Sequence, residues 1–124
     1  MSQTYEDRPT LERWNELAQA VGSVPRIVCG SYTGDGAATR TINLGFTPRA
    51  VYVGGPHGLT YYCAINFHAY YGGLALADSP LQYDNRDIVA IVNNGFRVTY
   101  YSPDSQQKIW SNMSNSVYNY IAIA

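Results

Sequence analysis

The residues that could perform catalysis or bind a metal are few and widely spaced in this chain. His57 and His68 are its two histidines, and they lie eleven positions apart with no Cys, Asp or Glu at ligand spacing. A zinc site needs three or four such ligands, so we expect no metal and no cofactor. Glycan cleavage needs two carboxylates at a set separation in a cleft, whereas here the carboxylates of the second half lie in predicted turns or at strand starts: Asp78, Asp84, Asp87 and Asp104. The chain is therefore predicted not to be an enzyme.

Tyrosine is the residue type that stands out, with twelve copies among 124 residues. Its flat apolar ring and its hydroxyl suit interfaces and sugar-stacking surfaces, although tyrosine is also simply a good strand former on a half-exposed sheet. The segment from Leu59 to Tyr70 alternates with a period of two, which predicts a single strand. Its core face would comprise Leu59, Tyr61, Cys63, Ile65, Phe67 and Ala69, and its outward face Thr60, Tyr62, Ala64, Asn66, His68 and Tyr70.

That outward face combines aromatic rings with amide and imidazole groups, which is the chemistry that recognises a sugar. We expect Tyr62 and Tyr70 to be stacking platforms and Asn66 and His68 to supply directional hydrogen bonds. The neighbouring loops would add two further contacts, His57 and Tyr71. The same face could instead be the interface between subunits, and the sequence leaves that alternative open.

Composition excludes several other functions. The length fits one domain of ordinary size, and 8 basic against 9 acidic residues give a net charge of −1 without a basic cluster. Nucleic-acid binding needs clustered Lys and Arg, so none is expected. No run of about 18 apolar residues is present, so no membrane insertion is expected either. Cys29 and Cys63 are predicted to be two buried free thiols, because disulfides need an oxidising compartment.

Residues 1–22 are predicted to form an N-terminal oligomerisation segment with one short helix over 10–21. Thr10 is a suitable N-cap, and Gly22 is a suitable stop after the last turn. The apolar residues of this helix recur at spacings of three and four, which forms one stripe: Leu11, Trp14, Ala18 and Val21. About three turns of helix are marginal alone, so the stripe must pack on its own β-domain or on two further copies. We favour three parallel helices in a homotrimer.

Residues 23–124 are predicted to be all β. Short strands separated by Gly-, Pro- and Asn-rich turns are typical of a sandwich, so the predicted fold is a mainly β, antiparallel, jelly-roll-like β-sandwich. Asn94-Gly95 predicts a hairpin, while Pro80 to Asp87 and Gln106 to Asn115 are predicted to be surface loops. Besides Leu59 to Tyr70, the predicted strands are Arg26 to Tyr32, Thr39 to Leu44, Ala50 to Gly54, Leu74 to Ala77, Ile88 to Val92, Phe96 to Tyr101 and Val117 to Ala124.

Three motifs link the chain to a known family. They read G-x-Y-x-G-D-G from Gly30 to Gly36, R-x-I-x-L-G-F-x-P-x-x-V from Arg40 to Val51, and Y-x-Y-I-A-I from Tyr118 to Ile123. This pattern resembles the C-terminal β-domains of bacteriophage and prophage tail fibre proteins, and the resemblance covers residues 30–124. The motif residues read as scaffold, so function on such a domain would lie in its variable loops and faces.

The resemblance implies a receptor-binding tip that attaches the virion to a bacterial surface component, a glycan or a protein. It also implies a homotrimer that contacts other phage tail proteins, assembled in the bacterial cytoplasm and located in the virion tail. The alternative is a purely structural virion protein, such as a tail or head decoration or a trimerisation tip, that binds no receptor.

Overall fold

The computed structural model describes residues 26–103 and 107–124. The predicted helix over 10–21 and its stripe (Leu11, Trp14, Ala18 and Val21) lie outside the described residues. The prediction of a mainly β chain is confirmed. The described residues form a short 3-10 turn, Pro56–Gly58, and eleven strands: β1 (Ile27–Thr33), β2 (Thr39–Asn43), β3 (Ala50–Gly54), β4 (Tyr61–Ala64), β5 (Phe67–Tyr70), β6 (Gly73–Leu76), β7 (Leu81–Tyr83), β8 (Arg86–Val92), β9 (Gly95–Tyr101), β10 (Gln107–Trp110) and β11 (Val117–Ile123).

The first sheet has four strands in the order β1-β11-β3-β6, and all of its pairs are antiparallel. The first strand of this sheet pairs with the last, so that Ile27 lies opposite Ile123. Successive side chains of a strand point to opposite faces. One face is accordingly buried, through Val51, Val53, Ala75, Tyr118 and Ala122, and the other face points outward.

The second sheet runs β4-β5-β10-β9-β8-β7, with β2 also paired to β9. Two strands share one edge of β9, because β2 pairs with residues 95–99 whereas β10 pairs with Tyr100 and Tyr101. β5 and β10 are parallel, and the other pairs among the described strands are antiparallel. The hairpin predicted at Asn94 is confirmed: Val92 pairs with Gly95, and Asn94 has a φ of 67°.

One hydrophobic core contains side chains from both sheets. Tyr118 and Phe96 are its largest fully buried side chains. Tyr32 stacks on Tyr118 with ring centroids 4.8 Å apart, and it meets Phe96 edge to face at 6.0 Å. Such aromatic pairs add about 1 kcal/mol each beyond the area they bury. The core therefore joins the first and last strands to the middle of the second sheet.

The predicted single strand from Leu59 to Tyr70 is wrong. The segment is a hairpin of β4 and β5, in which Ala64 pairs with Phe67 and the chain turns at Ile65 and Asn66. Ile65, which was predicted to be core, is 94% exposed. Across this two-residue turn each odd-numbered residue pairs with an even-numbered one, and paired residues lie on the same face. The odd-numbered residues of β4 and those of β5 therefore face opposite sides, and the alternation does not continue through the turn. The turn contains no Gly or Pro, and the local signal that marks most turns is therefore missing.

Both predicted surface loops contain a strand, so these two predictions are also wrong. β7 pairs with β8 around a turn at Asp84 and Asn85, whose φ angles are 54° and 63°. β10 is polar at its start, but its Ile109 is only 2% exposed because it packs into the core.

The predicted burial of the cysteines is wrong as well. Cys29 and Cys63 are free, as predicted, but both thiols are exposed. Cys29 lies opposite Ile121 on the outward face of the first sheet, and Cys63 lies opposite His68 in the β4–β5 hairpin. Within the described residues, no helix is long and apolar enough to cross a membrane.

Candidate functional site

Four ring side chains form a continuous row, which we call the aromatic row: Tyr61, His68, Tyr70 and Tyr83. Tyr61 and Tyr70 have ring centroids 4.9 Å apart, and Tyr70 stacks on Tyr83 at 4.5 Å with an interplanar angle of 25°. The Tyr61 hydroxyl lies 2.5 Å from Nδ1 of His68. Tyr61 is 43% exposed, whereas the other three rings are half-buried. The row therefore offers one accessible ring, supported by a packed stack.

Strand register and sheet curvature together produce this row. Tyr61 pairs with Tyr70 in the β4–β5 hairpin, and side chains of paired residues lie on the same face. Tyr83 belongs to β7, which is four strand positions away from β5 in the sheet order. In a flat sheet, four spacings would separate these strands by about 19 Å. Since the Tyr70 and Tyr83 rings stack, the second sheet must curl until residues of distant strands meet.

A shallow groove of about 400 Å³ lies on β8 and β9. We call it the arginine groove, and its charged lining residues are Arg86, Asp87 and Arg97. Arg97 donates a hydrogen bond of 2.7 Å to Oδ2 of Asp87, and Gln82 donates one of 2.7 Å to Oδ1. The Arg86 guanidinium lies 3.8 Å from the centre of the Tyr101 ring, which is a cation–π geometry.

These contacts define the charge state of the groove. The hydrogen bond from Gln82, and then that from Arg97, hold the pKa of Asp87 below its ordinary value despite partial burial of the carboxyl. Asp87 is therefore a carboxylate at neutral pH.

In the aromatic row, burial raises the pKa of Tyr70, and the neighbouring Tyr83 adds to the effect. The Tyr70 hydroxyl therefore keeps its proton and can act as a hydrogen-bond donor.

A small cavity of about 10 Å³, the size of one water molecule, is lined by residues of both the aromatic row and the arginine groove. Tyr83 lines it from the row, while Arg86 and Tyr101 line it from the groove. Gln107 also lines it, and the Oε1 atom of this residue is buried without a hydrogen-bond partner among the described residues. A buried acceptor without a partner costs about 1–3 kcal/mol, so a donor that reached this position would be stabilising. Row, cavity and groove thus form one surface with apolar and polar parts.

This surface can bind a ligand by stacking and hydrogen bonding. Aromatic rings offer a flat apolar area, and the arginines and the carboxylate offer directional polar groups beside it, as in small-ligand sites. In the part of the chain that the structure describes, no group of three or more His, Cys, Asp or Glu side chains lies close enough to hold a metal ion.

The structure brings together only two of the six predicted site residues, His68 and Tyr70. Tyr62 lies on the opposite face of the hairpin, with its ring 5.8 Å from that of Phe67. Tyr71 is buried, 9% exposed, and meets Trp110 edge to face. Asn66 is exposed in the β4–β5 turn, and His57 is exposed in the 3-10 turn with a φ of 59°. The premise that Tyr62 and Tyr70 share a face is wrong, because it assumed one continuous strand.

Sequence reasoning missed the other members of this surface: Tyr61, Tyr83, Arg86, Asp87, Arg97 and Gln107. Tyr61 was assigned to the core by the same continuous alternation. The sequence prediction places Tyr83 and Arg86 in a surface loop; the only local sign of a turn between them is the Asp84-Asn85 dipeptide, because Asp and Asn tolerate a positive φ. Reading that dipeptide as a turn would have brought both residues onto paired strands.

Comparison of the chain with models of known protein families, with curated proteins and with solved structures finds no match.

Proposed function

We propose that this chain is a receptor-binding tip domain of a bacteriophage tail fibre, and that it attaches the virion to a glycan on the bacterial surface. The observation that carries the proposal is the aromatic row, in which Tyr61 presents an accessible ring on top of the Tyr70–Tyr83 stack. The arginine groove beside it supplies the polar contacts. The protein would be located in the virion tail and would contact other tail proteins.

The chemistry of sugars supports this assignment. A sugar ring has an apolar C–H face that packs on an aromatic ring, and hydroxyls at its rim that need donors and acceptors. A net charge of −1 provides little long-range attraction, so short-range contacts must give the affinity. Because the surface is shallow, affinity at a single site would be weak, and useful binding would come from several linked copies. We therefore also propose a homotrimer, whose mass by light scattering would be three times 13.7 kDa.

We propose a jelly-roll-like β-sandwich as the finer description of the fold. Two features support it: a single core is shared by both sheets, and the first strand lies beside the last, as Greek-key connections produce. The parallel pairing of β5 with β10 departs from that pattern.

Tyr61 and Tyr62 provide a matched test of the receptor site. They are adjacent and almost equally exposed, 43% and 45%, but they lie on opposite faces of the hairpin. A glycan array of bacterial surface oligosaccharides would identify a ligand, and titration calorimetry would then compare the variants. We expect Tyr61→Ala to weaken binding and Tyr62→Ala to leave it unchanged. Loss of binding in Tyr62→Ala alone would contradict the proposed surface, and the absence of any glycan ligand would contradict the proposed function.

A structural virion role without a receptor is the second candidate. The observation that favours it is the outward face of the first sheet, where several large apolar side chains are exposed, since such a face can contact other proteins. In that case Tyr61→Ala would leave adsorption of phage particles to cells unchanged.

A further inference from the structure

The outward face of the first sheet is apolar and uncovered by the described residues. We call it the outer apolar face, and its large side chains are between 44% and 70% exposed: Ile27, Tyr52, Leu74, Leu76, Val117 and Ile121. Strand register makes the face continuous, because Ile121 of β11 pairs with Tyr52 of β3, which pairs with Leu74 of β6. Contiguous exposed apolar surface of this kind marks an interaction site.

A hollow lies within this face. It has a volume of about 330 Å³ and is bordered by Tyr52 and Ile121, with Gly54 and Gly58 at its base. The nearest heavy atom to a Cβ added at Gly54 would be Cα of Gly58, at an ordinary contact distance of 3.5 Å, and a Cβ added at Gly58 would meet nothing within 4 Å. The two glycines thus leave room for a large side chain from whatever covers the sheet.

We propose that residues 10–21 of the same chain cover the outer apolar face. The segment ends close to its binding surface, since only residues 22–26 separate it from Ile27, the first apolar residue of the face. At helical spacing, its Leu11, Trp14, Ala18 and Val21 form one apolar stripe. Trp14 is the large side chain that would enter the hollow.

The dimensions of the segment and the face agree. A helix of twelve residues is about 18 Å long, while the outer strands of a four-stranded sheet lie about 14 Å apart. The connecting residues 22–25 can span about 13 Å, which is enough to turn back from the β1 edge across the sheet. One helix therefore has the size needed to cover the face.

A segment of the same chain has an advantage over a second copy. Its short connection holds it near the sheet at an effective concentration in the millimolar range, above the concentration of free partner chains in a dilute solution. The helix alone would be marginal, and docking gives its apolar stripe a partner. The stripe then faces its own sheet rather than an axis shared by three copies, so a homotrimer would be held by the β-domains.

Cysteine cross-linking of the full-length protein tests this inference, because the exposed Cys29 lies on the outer apolar face opposite Ile121. In a Cys63→Ser background, single substitutions would introduce a second thiol on the stripe (Leu11→Cys, Ala18→Cys, Val21→Cys) or on the other side of the helix (Glu12→Cys, Glu16→Cys, Gln19→Cys). After oxidation with glutathione disulfide, we expect a cross-link within one chain for at least one stripe position and for none of the controls.

Three results of this experiment would overturn the inference. A disulfide-linked dimer as the main product would show that a second copy covers the face. Equal cross-linking of stripe and control positions would show that the segment has no defined orientation, and no cross-link at any position would show that it lies elsewhere.

Urea unfolding of variants with an altered outer apolar face gives an independent test of this docking, because it measures how much the Trp14 side chain contributes to stability. Trp14→Ala should lower the midpoint in the wild-type background and have a much smaller effect in Ile121→Ser, because the docking partner is already impaired. Ile65→Ser is the control background, since Ile65 is 94% exposed in a distant turn, and there the full effect of Trp14→Ala should remain. Equal effects in all three backgrounds would contradict docking within one chain.

Discussion

Tyr61 and Tyr70 lie directly opposite each other across the β4–β5 hairpin, with ring centroids 4.9 Å apart. Their contact exists because the chain reverses at Ile65 and Asn66; in a continuous strand these two residues would point to opposite faces. The contact also separates Tyr61 from its neighbour Tyr62, which faces the other side. The position of one turn thus determines which tyrosines can form a recognition surface.

The ring of Tyr61, rather than its hydroxyl, is expected to bind the proposed glycan. Tyr61→Phe keeps the stacking platform and loses the hydrogen bond to His68, so affinity should stay within about twofold. Tyr61→Ala removes a stacking contact of about 1 kcal/mol, which corresponds to a roughly fivefold loss. Titration calorimetry with the ligand found by array checks both values, and equal losses in the two variants would show that the hydroxyl is the important group.

Tyr118→Phe should destabilise the fold by about 2 kcal/mol. The Tyr118 hydroxyl donates a hydrogen bond to the carbonyl of Trp110 and accepts one of 3.0 Å from the amide of Met113. Removing it leaves both backbone groups without this partner in a partly buried site, and each unsatisfied group carries a penalty of about 1–3 kcal/mol when fully buried. Urea unfolding measures the change. Tyr62→Phe is the control, because Tyr62 is 45% exposed and should shift stability by less than about 0.5 kcal/mol.

Stability should fall in acid partly because Asp87 becomes protonated. Its pKa in the folded state is below the ordinary value, first through Gln82 and then through Arg97, so the unfolded chain binds more protons between the two pKa values. The contribution is present above the unfolded pKa, near pH 4, and is lost as the pH falls through the lower folded value.

Asp87→Asn should therefore flatten the dependence of the urea midpoint on pH between about pH 5 and pH 2. The slope should not vanish, because a backbone hydrogen bond from Ala37, and then the Asn112 side chain, lower the pKa of Asp35 too. An unchanged slope in Asp87→Asn would show that the contacts of Asp87 with Gln82 and Arg97 add no pH-dependent stability.

The turn between β7 and β8 should tolerate glycine at position 85 but not alanine. Asn85 has a φ of 63°, which lies in the left-handed region. This conformation destabilises most residues with a Cβ atom by about 1 kcal/mol or more, whereas Asn and Asp adopt it more readily. Asn85→Ala should lose about 1 kcal/mol by thermal or urea unfolding, and Asn85→Gly should stay near wild type. Asn66→Ala is the matched control in the other hairpin turn, because the φ of Asn66 is not positive. A comparable loss there would mean that the φ angle is not the cause.

Much of the strand layout could be predicted because its signals are local. The predicted strand over Ala50 to Gly54 matches β3 at both ends. The predicted strands for β1 and β6 are shifted by one residue at both ends, and those for β2, β8, β9 and β11 differ by one or two residues at one end. The alternation of apolar residues that indicates a strand, and the Asn94-Gly95 pair that indicates a turn, each involve only a few consecutive residues. A short stretch of sequence is therefore enough to predict such an element. The residues of the candidate site could not be predicted in the same way. The β4–β5 and β7–β8 turns that bring them together contain no glycine or proline, which are the residues that most strongly mark a turn.

Which side chains meet depends on the three-dimensional arrangement of the strands. Tyr70 and Tyr83 belong to strands four positions apart in the sheet, yet their rings stack at 4.5 Å, and Arg97 reaches Asp87 only because β9 pairs with β8. Such contacts depend on sheet order and curvature, which are set by the packing of the shared core over long sequence separations. Local sequence patterns indicate where most strands form and which residue types they contain, whereas the curl of the second sheet brings four ring side chains together in the aromatic row.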